Sequence, residues 1–376
     1  MRSDRVIIVS GDGHAIPPKE VWKDYLEAEY HEQLPMAYED SDNYAQMLAP
    51  ASHFAERPDL LEVVDADGVW ASGGWRGVIG DVDRGLAEMD REGIAAEMVY
   101  IGDTHVLQPF GAAFRVVPQE LKAAGSRIFD RWLADTFGDH LDRFYLVGDP
   151  AAGVDIDAML AELHWTADRG FRGALVPGMF PRNDDERPLY DPYYDPFWAA
   201  CVDRGVFVVC HAGHGLADNT FGTIVEEAMA LMAADGREDL VDQLVNRTEE
   251  IFIRSLLPIQ ALWQMMLGGV FDRFPDLRYL LAEVRGDWIP SILGHLDAAF
   301  DRAGGDLPAK HRPSSYWRSN TLQSVSFVHR CEVGMRHEIG IENITFGRDY
   351  PHPESTWPNT NDWLRDAFVG VPEDEL

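Results

Sequence analysis

The stretch Asn343-Ile-Thr-Phe-Gly-Arg-Asp349 places a carboxylate directly behind a short apolar segment that has the composition of a buried β-strand. The chain opens in the same way, because Val6-Ile-Ile-Val-Ser10 runs through a glycine into Asp12 and His14. A carboxylate or an imidazole just beyond a strand is poorly placed for packing and well placed for chemistry. Both ends of the chain therefore predict functional residues at strand ends.

Eight segments have the short, apolar and β-branched character of strands, and most are bounded by Gly, Asp or Pro. They are Val6–Ser10, Glu97–Ile101, Phe144–Gly148, Ala174–Pro177, Val206–Cys210, Arg278–Glu283, Leu322–Phe327 and Asn343–Phe346. Segments with helical periodicity lie between them. The clearest are Pro118–Phe137, Val154–Arg169, Tyr194–Arg204 and Trp263–Phe274.

Strands that alternate with helices along one long chain are typical of a (β/α)8 barrel, the TIM barrel of the α/β class. A doubly wound open sheet is the structural alternative. The barrel is favoured because the candidate functional residues lie on strands from the first to the last. A barrel brings these strand ends together at one mouth, whereas an open sheet would hold them apart at its two edges.

We expect residues 1–376 to form a single barrel domain with insertions at about 30–84 and 214–255. The first insertion is rich in Asp, Gly, Trp and Pro, and the second carries an apolar helical pattern. Both are expected to form a lid over the barrel mouth or a contact between the subunits of a homodimer. The alternative is that they only decorate the surface.

The composition limits the partners and the compartment. A formal net charge of −32 repels nucleic acid and anionic membranes, so neither is expected as a partner. No apolar run reaches the ~18 residues that a membrane-spanning helix needs, and the N-terminus has no signal-peptide pattern. The widely spaced Cys201, Cys210 and Cys331 indicate a reduced cytoplasm rather than disulfides. We expect a cytoplasmic protein that acts on a small molecule.

Acids and histidines at the predicted strand ends form a candidate metal site. Asp12 and His14 are two residues apart, so both point to one side of an extended chain. His211 follows a strongly apolar strand, Glu283 closes another, and Asp349 completes the set. The weaker candidates are His214, Glu97 and His105.

The candidates also have structural interpretations. Asp12 could cap a helix, and Glu283 could pair with Arg285, because an unpaired buried carboxylate is costly. A mixture of imidazole and carboxylate ligands suits zinc, manganese or iron and argues against a thiolate site. The residues alone therefore predict one or two divalent ions of open identity.

Several motifs spread over the whole chain are shared with one known family. They are Asp12-Gly-His14 with Pro17, Tyr190-Asp-Pro192, Pro196-Phe-Trp198, His211, Leu267-Gly-Gly-Val-Phe-Asp-Arg-Phe-Pro275, Trp288-Ile-Pro290, Gly347-Arg-Asp-Tyr-Pro-His-Pro-Glu354 and Trp357-Pro358. With these motifs the chain resembles the amidohydrolase superfamily. The similar branch contains aminocarboxymuconate-semialdehyde decarboxylase and many actinobacterial amidohydrolase-2 proteins.

The resemblance implies a barrel with a catalytic metal in its mouth. By position, His14, His211 and Asp349 match the family's metal ligands, and Asp12 matches its first-strand motif. The carboxylated lysine that bridges two metals in other amidohydrolases has no counterpart, because no lysine lies near Ala174–Pro177.

Two residues depart from the family pattern. Glu283 stands where the decarboxylases of this branch carry a histidine that is used in proton transfer. Arg348 stands where a small residue usually precedes the aspartate. The resemblance therefore implies the fold more firmly than the reaction.

Three reactions compete on this family background. Hydrolysis would use Asp349 as the base for a metal-bound water. Decarboxylation without oxidation would need a metal, a proton donor and an anchor for the substrate carboxylate. Arg285 and Arg348 are candidate anchors, and the family's sixth-strand proton donor is missing. Oxygen chemistry would resemble that of the non-haem diiron monooxygenases that hydroxylate bulky CoA-linked acids, as in the platensimycin and platencin pathway, with Glu283 helping to hold a second metal.

The surplus of ligands and the missing histidine narrowly favour the monooxygenase. The monooxygenase hypothesis favours iron over zinc and manganese as the bound metal. It also places Asp349, Glu283 and Arg348 in the catalytic site. A metal-dependent hydrolase or decarboxylase is the alternative. A metal-free binding protein on the same barrel is a minor alternative.

Overall fold

The computed structural model describes residues 7–48, 80–101, 109–111, 115–150, 155–176, 187–212, 258–352 and 355–376. Its strands are β1 (Ile8–Ser10), β2 (His14–Ala15), β3 (Ile94–Ile101), β4 (Phe144–Gly148), β5 (Gly173–Leu175), β6 (Phe207–His211), β7 (Tyr279–Ala282), β8 (Thr321–Ser326) and β9 (Ile344–Gly347).

The strands are parallel and form a closed sheet. From β3 to β9 each strand pairs with the next along the chain. The sheet closes because β1 pairs with β3 on one side and with β9 on the other. β2 continues along β3 beyond β1, so these two short strands share one of eight strand positions in the barrel. The predicted TIM barrel is confirmed.

Helices surround the barrel. The α-helices with defined bounds are α1 (Trp22–Tyr25), α2 (Leu34–Leu48), α3 (Val82–Glu92), α4 (Gln119–Phe137), α5 (Ile156–Asp168), α6 (Asp195–Arg204), α7 (Val270–Arg273), α8 (Ile289–Ala303), α9 (Pro313–Asn320), α10 (Arg330–Gly334), α11 (Arg336–Ile339) and α12 (Thr360–Ala367). Residues 258–267 are also helical. Short 3₁₀ helices cover Lys19–Val21, Ala28–Gln33, Gly138–His140, Pro192–Tyr194, Ile341–Asn343 and Glu373–Glu375.

Local sequence sets the ends of these helices. At the start of α3, the side chain of Asp81 accepts a hydrogen bond from the N–H of Arg84. At the ends of α3 and α6, Gly93 and Gly205 have φ angles of 76° and 63°. This left-handed geometry suits glycine and turns the chain out of the helix toward the next strand.

The eight predicted strands all overlap observed ones, and only their bounds differ. The largest shift is at β3, which begins at Ile94 rather than at the predicted Glu97. The predicted helix Trp263–Phe274 is interrupted, because Gly269 adopts a φ of 71° between the helical residues 258–267 and α7.

The predicted insertions lie largely outside the described residues. The insertion at 30–84 is described only at its two ends, where it contributes α2 and the beginning of α3. The insertion at 214–255 is not described, and neither are the candidate ligands His105 and His214. A lid or a dimer contact in these segments stays a prediction. Within the described residues, no helix combines the length and the hydropathy that a membrane-spanning segment requires.

Apolar side chains fill the space between the barrel and its helices. On one side, Phe129, Leu133 and Phe137 of α4 are buried in one cluster with Phe144 of β4. The rings of Phe137 and Phe144 meet edge to face at a centroid distance of 5.0 Å. With the outer surface packed in this way, the polar residues at the carboxyl ends of the strands gather at the barrel mouth.

Candidate metal centre

Asp12, His14 and His211 come together at the barrel mouth. All three are buried, and each offers a ligand atom within 4.8 Å of the other two. The two imidazole rings lie 5.1 Å apart between centroids. Asp12 and His14 come from the first strand position and His211 ends β6, so closure of the barrel is what assembles the cluster.

Both histidines present the same ring nitrogen to the cluster. Nδ1 of His14 lies 3.1 Å from the carbonyl oxygen of Ile101, and Nδ1 of His211 lies 2.9 Å from that of Ala212. A carbonyl oxygen only accepts hydrogen bonds, so each Nδ1 carries a hydrogen and donates it. Nε2 is then the atom directed at Asp12 Oδ1, at 3.8 Å for His14 and 3.2 Å for His211. This orientation is the one in which histidine ligates a metal through Nε2.

The cluster has an excess of negative charge that raises the pKa of both imidazoles. Burial alone would lower the pKa of His14, but the carboxylates of Asp349 and Asp12 more than offset this. Burial alone would also lower the pKa of His211, but Asp12 and Glu283 raise it to about 10. A site that attracts protons so strongly would also attract a divalent cation.

Asp349 lies beside this cluster in a strained backbone conformation. Its φ is 59°, a left-handed value that is uncommon for residues other than glycine and is concentrated at functional sites. One carboxylate oxygen is 2.8 Å from Nε2 of His14, and the other is 3.3 Å from Nδ1 of His352. Burial would raise the pKa of Asp349, but His352 and His14 lower it.

The two oxygens of Asp349 are suited to a metal. Asp349 is fully buried, yet among the described residues neither oxygen has a hydrogen-bond partner of ordinary geometry. Buried carboxylates are normally hydrogen-bonded, and a bound cation would satisfy this one. Asp12, His14, His211 and Asp349 together form a donor set of two imidazoles and two carboxylates, which fits a first-row divalent metal.

Glu283 stands at the edge of the same site. It follows β7 with a φ of 53°, and its Oε2 is 3.4 Å from Nδ1 of His211. The expected alternative, a pair with Arg285, is not what the structure shows, because Arg285 bonds to Glu332 at 2.8 Å and to Asp287 at 3.1 Å. Glu283 therefore contacts the outer side of a ligand histidine.

Glu97 and Arg348 lie behind the ligands rather than among them. Arg348 donates to both carboxylate oxygens of Glu97, at 2.7 and 2.9 Å. It also donates to Glu92 at 2.9 Å. Glu97, the weaker candidate ligand, and Arg348, the candidate anchor for a substrate carboxylate, are thus paired with each other.

Sequence reasoning gave His352 no role. Its ring lies 6.0 Å from that of His14 between centroids, and it contacts Asp349. The sequence feature that points to His352 is its position three residues after Asp349. In the structure these residues form a turn in which the His352 N–H donates to the Asp349 carbonyl. The three-residue spacing becomes informative only once that turn is known.

Comparison with known proteins assigns the chain to a family. Residues 53–376 match a protein-family model described as Amidohydrolase. The chain belongs to this amidohydrolase family. The superfamily expected from the motifs is thereby confirmed.

Individual relatives of this amidohydrolase-family chain have related names. Gamma-resorcylate decarboxylase from Rhizobium sp. (strain MTP-10005) is 27% identical over 295 residues, which are 76% of this chain and 81% of that protein. An amidohydrolase from Mycobacterium avium subsp. paratuberculosis K-10 has a similar structure, with a TM-score of 0.69 and 17% identity over 99% of this chain and 96% of that one. A dihydroxybenzoic acid decarboxylase from Polaromonas sp. JS666, with bound manganese and the inhibitor 2-nitroresorcinol, has a TM-score of 0.61 and 16% identity over 99% and 93% of the two chains.

These likenesses correct the expected reaction. Gamma-resorcylate decarboxylase is a lyase and not an oxidoreductase. The prediction of a monooxygenase that hydroxylates a bulky acid is therefore wrong. The links to iron and to natural-product biosynthesis rested on that prediction and have no support. The resemblance to the branch of the family that contains decarboxylases is confirmed.

Proposed function

We propose that this amidohydrolase-family protein is a metal-dependent decarboxylase that removes the carboxylate of an aromatic acid without oxidation. The observation that carries the proposal is the buried set of Asp12, His14 and His211 at the mouth of a barrel whose relatives include a decarboxylase. The chemical class of the substrate, a hydroxybenzoate, is taken from the names of the relatives.

Asp12, His14, His211 and Asp349 would hold the metal. Manganese is the ion we propose, because a mixed nitrogen and oxygen donor set accepts it and the Polaromonas protein contains it. When bound, a divalent ion would supply positive charge that holds the substrate carboxylate and a neighbouring oxygen. Among the described arginines, Arg285 and Arg348 are both engaged by carboxylates, so neither is assigned that task.

The chain's own acid–base groups would complete the reaction. The bond between the ring carbon and the carboxylate breaks, carbon dioxide leaves, and a proton takes its place on the ring carbon. His352 is the group that we assign to deliver that proton, and Asp349, whose Oδ2 is 3.3 Å from Nδ1 of His352, orients the ring. No electron is transferred to an acceptor, so the reaction requires no oxygen.

The test is carbon dioxide release by the metal-reconstituted protein. Metal-free protein would be loaded with Mn²⁺ and incubated with 2,6-dihydroxybenzoate and other hydroxybenzoates, in air and without oxygen. We expect carbon dioxide and the decarboxylated phenol in equal amounts, at the same rate under both atmospheres. A chelator should abolish the reaction, and added Mn²⁺ should restore it.

A matched pair of variants separates the site from general effects of mutation. His211→Ala removes a ligand and should lose both bound Mn²⁺ and carbon dioxide release. His164→Ala changes an exposed histidine on α5 and should leave both unchanged. Turnover that requires oxygen, or Mn²⁺-loaded protein that releases no carbon dioxide from any hydroxybenzoate, would contradict the proposal.

A further inference from the structure

A second polar cluster lies directly behind the metal ligands, and the proposed reaction assigns it no step. It consists of Arg348, Glu97 and Glu92, which we call the Arg348 clamp. These three residues are 0%, 2% and 1% exposed, respectively. Arg348 donates to Glu97 from Nε at 2.7 Å and from Nη2 at 2.9 Å, and to Glu92 from Nη1 at 2.9 Å.

Burying the Arg348 clamp costs free energy. Removing three charged groups from water is costly, and well-packed apolar residues of similar volume are often at least as stabilising. The clamp also has one positive and two negative side chains, so it does not neutralise itself. A contribution to stability therefore does not explain the Arg348 clamp. Its position beside the metal ligands indicates its role.

The clamp touches the backbone on both sides of the ligands. Arg348 immediately precedes Asp349, and its N–H donates to Oγ of Ser10 at 2.9 Å. The Ser10 hydroxyl in turn donates to the carbonyl oxygen of Asp12 at 2.6 Å. The same carbonyl accepts the N–H of Asp349 at 3.0 Å. The first and last strands are therefore joined at the residues that carry the ligands.

Glu97 completes the contact from the side of β3. It packs so closely under Gly13 that a Cβ added to Gly13 would lie 2.7 Å from Cδ of Glu97. Gly13 is the residue between Asp12 and His14, so the carboxylate of Glu97 supports the segment that holds both. Glu92 fixes the far side, because its other oxygen accepts the N–H of Thr360 at 3.1 Å.

We propose that Arg348 is a positioning residue which, through its fork of hydrogen bonds to Glu97 and Glu92, fixes the backbone that carries Asp12, His14 and Asp349 and so sets the affinity of the site for its metal. The inference rests on the proposed function in one respect, namely that these residues bind a divalent ion. The planar guanidinium matters because it bonds both oxygens of Glu97 in one plane, which a lysine cannot do.

Two variants test the clamp. Arg348→Lys keeps the charge and removes the fork. The double variant Arg348→Met/Glu97→Gln removes the fork while the net charge of the three side chains stays at −1. Each would be prepared without metal, and its Kd for Mn²⁺ would be measured by titration calorimetry and by the electron paramagnetic resonance signal of free Mn²⁺. We expect Kd to rise by about 10- to 100-fold in both, because supporting residues of metal sites have effects of this size.

The control is Arg131→Met, which breaks the pair between Arg131 on α4 and the buried Glu162 on α5. It should lower the melting temperature of the metal-free protein as the clamp variants do, and it should leave Kd for Mn²⁺ unchanged. The resonance spectrum of bound Mn²⁺ is a second readout. We expect it to change in Arg348→Lys and to match the wild type in the control.

These measurements separate the role of Arg348 from metal binding itself. If the wild type binds Mn²⁺ and Arg348→Lys binds it with the same Kd and the same spectrum, the clamp has no positioning role and the inference is overturned, while the proposed function stands. If the control weakens Mn²⁺ binding as much as the clamp variants do, the inference is also overturned. If the wild type itself binds no divalent ion, the proposed function fails and the inference fails with it.

Discussion

The carboxylate of Glu283 contacts His211 on the side of the ring that faces away from Asp12. Its Oε2 is 3.4 Å from Nδ1, whereas Nε2 is directed at the metal cluster. The hydrogen on Nδ1 bonds to the Ala212 carbonyl, and negative charge beside it makes Nε2 a better electron-pair donor to a metal. Glu283 would then support a ligand rather than bind the metal itself.

Replacing Glu283 by glutamine tests this assignment. The amide has the same shape but no charge, so His211 becomes a weaker donor, and we expect Kd for Mn²⁺ to rise by roughly 10-fold. Asp287→Asn is the matched control, because Asp287 lies in the same loop and pairs with the partly exposed Arg285. Complete loss of Mn²⁺ binding in Glu283→Gln would instead identify Glu283 as a direct ligand.

Asp130 on α4 is a buried acid that lies apart from the site. Its Oδ1 accepts the N–H of Asp149 at 3.0 Å, and Oδ2 has no hydrogen-bond partner within the described part of the chain. Burial, together with the charges of Glu162 and Asp149, raises the pKa of Asp130 well above its usual value. The folded state therefore holds this proton more tightly than the unfolded state does.

Titration of Asp130 makes the free energy of unfolding depend on pH. A raised pKa in the folded state gives stability that is present below the unfolded pKa of about 3.9 and is lost as the pH rises through the folded value. Asp130→Asn keeps the acceptor at Oδ1 and removes the titration. We expect it to be more stable than the wild type at pH 8, by roughly 1–3 kcal/mol, with the advantage gone at pH 4. Urea unfolding across this range measures it, and a variant that is less stable at every pH would contradict it.

At the scale of the elements, two glycines inside helices should respond to alanine in opposite ways. A Cβ added to Gly125 of α4 would lie 1.8 Å from the carbonyl oxygen of Pro109, so alanine would force the helix away from the segment after β3. Overpacking of this kind costs about 1–3 kcal/mol. Gly294 of α8 is exposed and has no atom within 4 Å of an added Cβ, so alanine there should stabilise by roughly 0.5–1 kcal/mol. Urea unfolding of both variants gives the comparison, and equal effects would contradict it.

The elements also show why sequence predicts the fold better than the site. Apolar runs and helical periodicity report burial directly, which is why all eight strands were located and why Asp12, His14 and His211 were found at strand ends. The pairing of Arg348 with Glu97 joins residues from the last and second barrel positions, and no local pattern reports a contact of that range. The left-handed backbone of Glu283 and Asp349 likewise depends on the closed barrel and not on their own preferences.

At the scale of the whole molecule, the proposed metal would join distant parts of the chain across the seam where the barrel closes. Asp12 and His14 come from the first strand position, Asp349 follows the last strand, and His211 ends β6. The ladder at this seam is short, because β1 pairs with β9 only at Ser10 and Phe346 and one further bridge joins Gly13 to Tyr350. An ion held by ligands on both sides of the seam should therefore stabilise the entire fold.

Urea unfolding with and without Mn²⁺ measures that stabilisation. An ion that binds only the folded state adds about 2.7 kcal/mol at a free concentration of 100 times Kd. We expect the midpoint of unfolding to rise with Mn²⁺ concentration and not with Ca²⁺, because calcium prefers oxygen ligands and two donors here are imidazoles. His211→Ala should abolish the effect of Mn²⁺. If Mn²⁺ stabilised that variant as much as the wild type, the ion would be bound elsewhere on this acidic surface, and the four residues at the seam would not be its ligands.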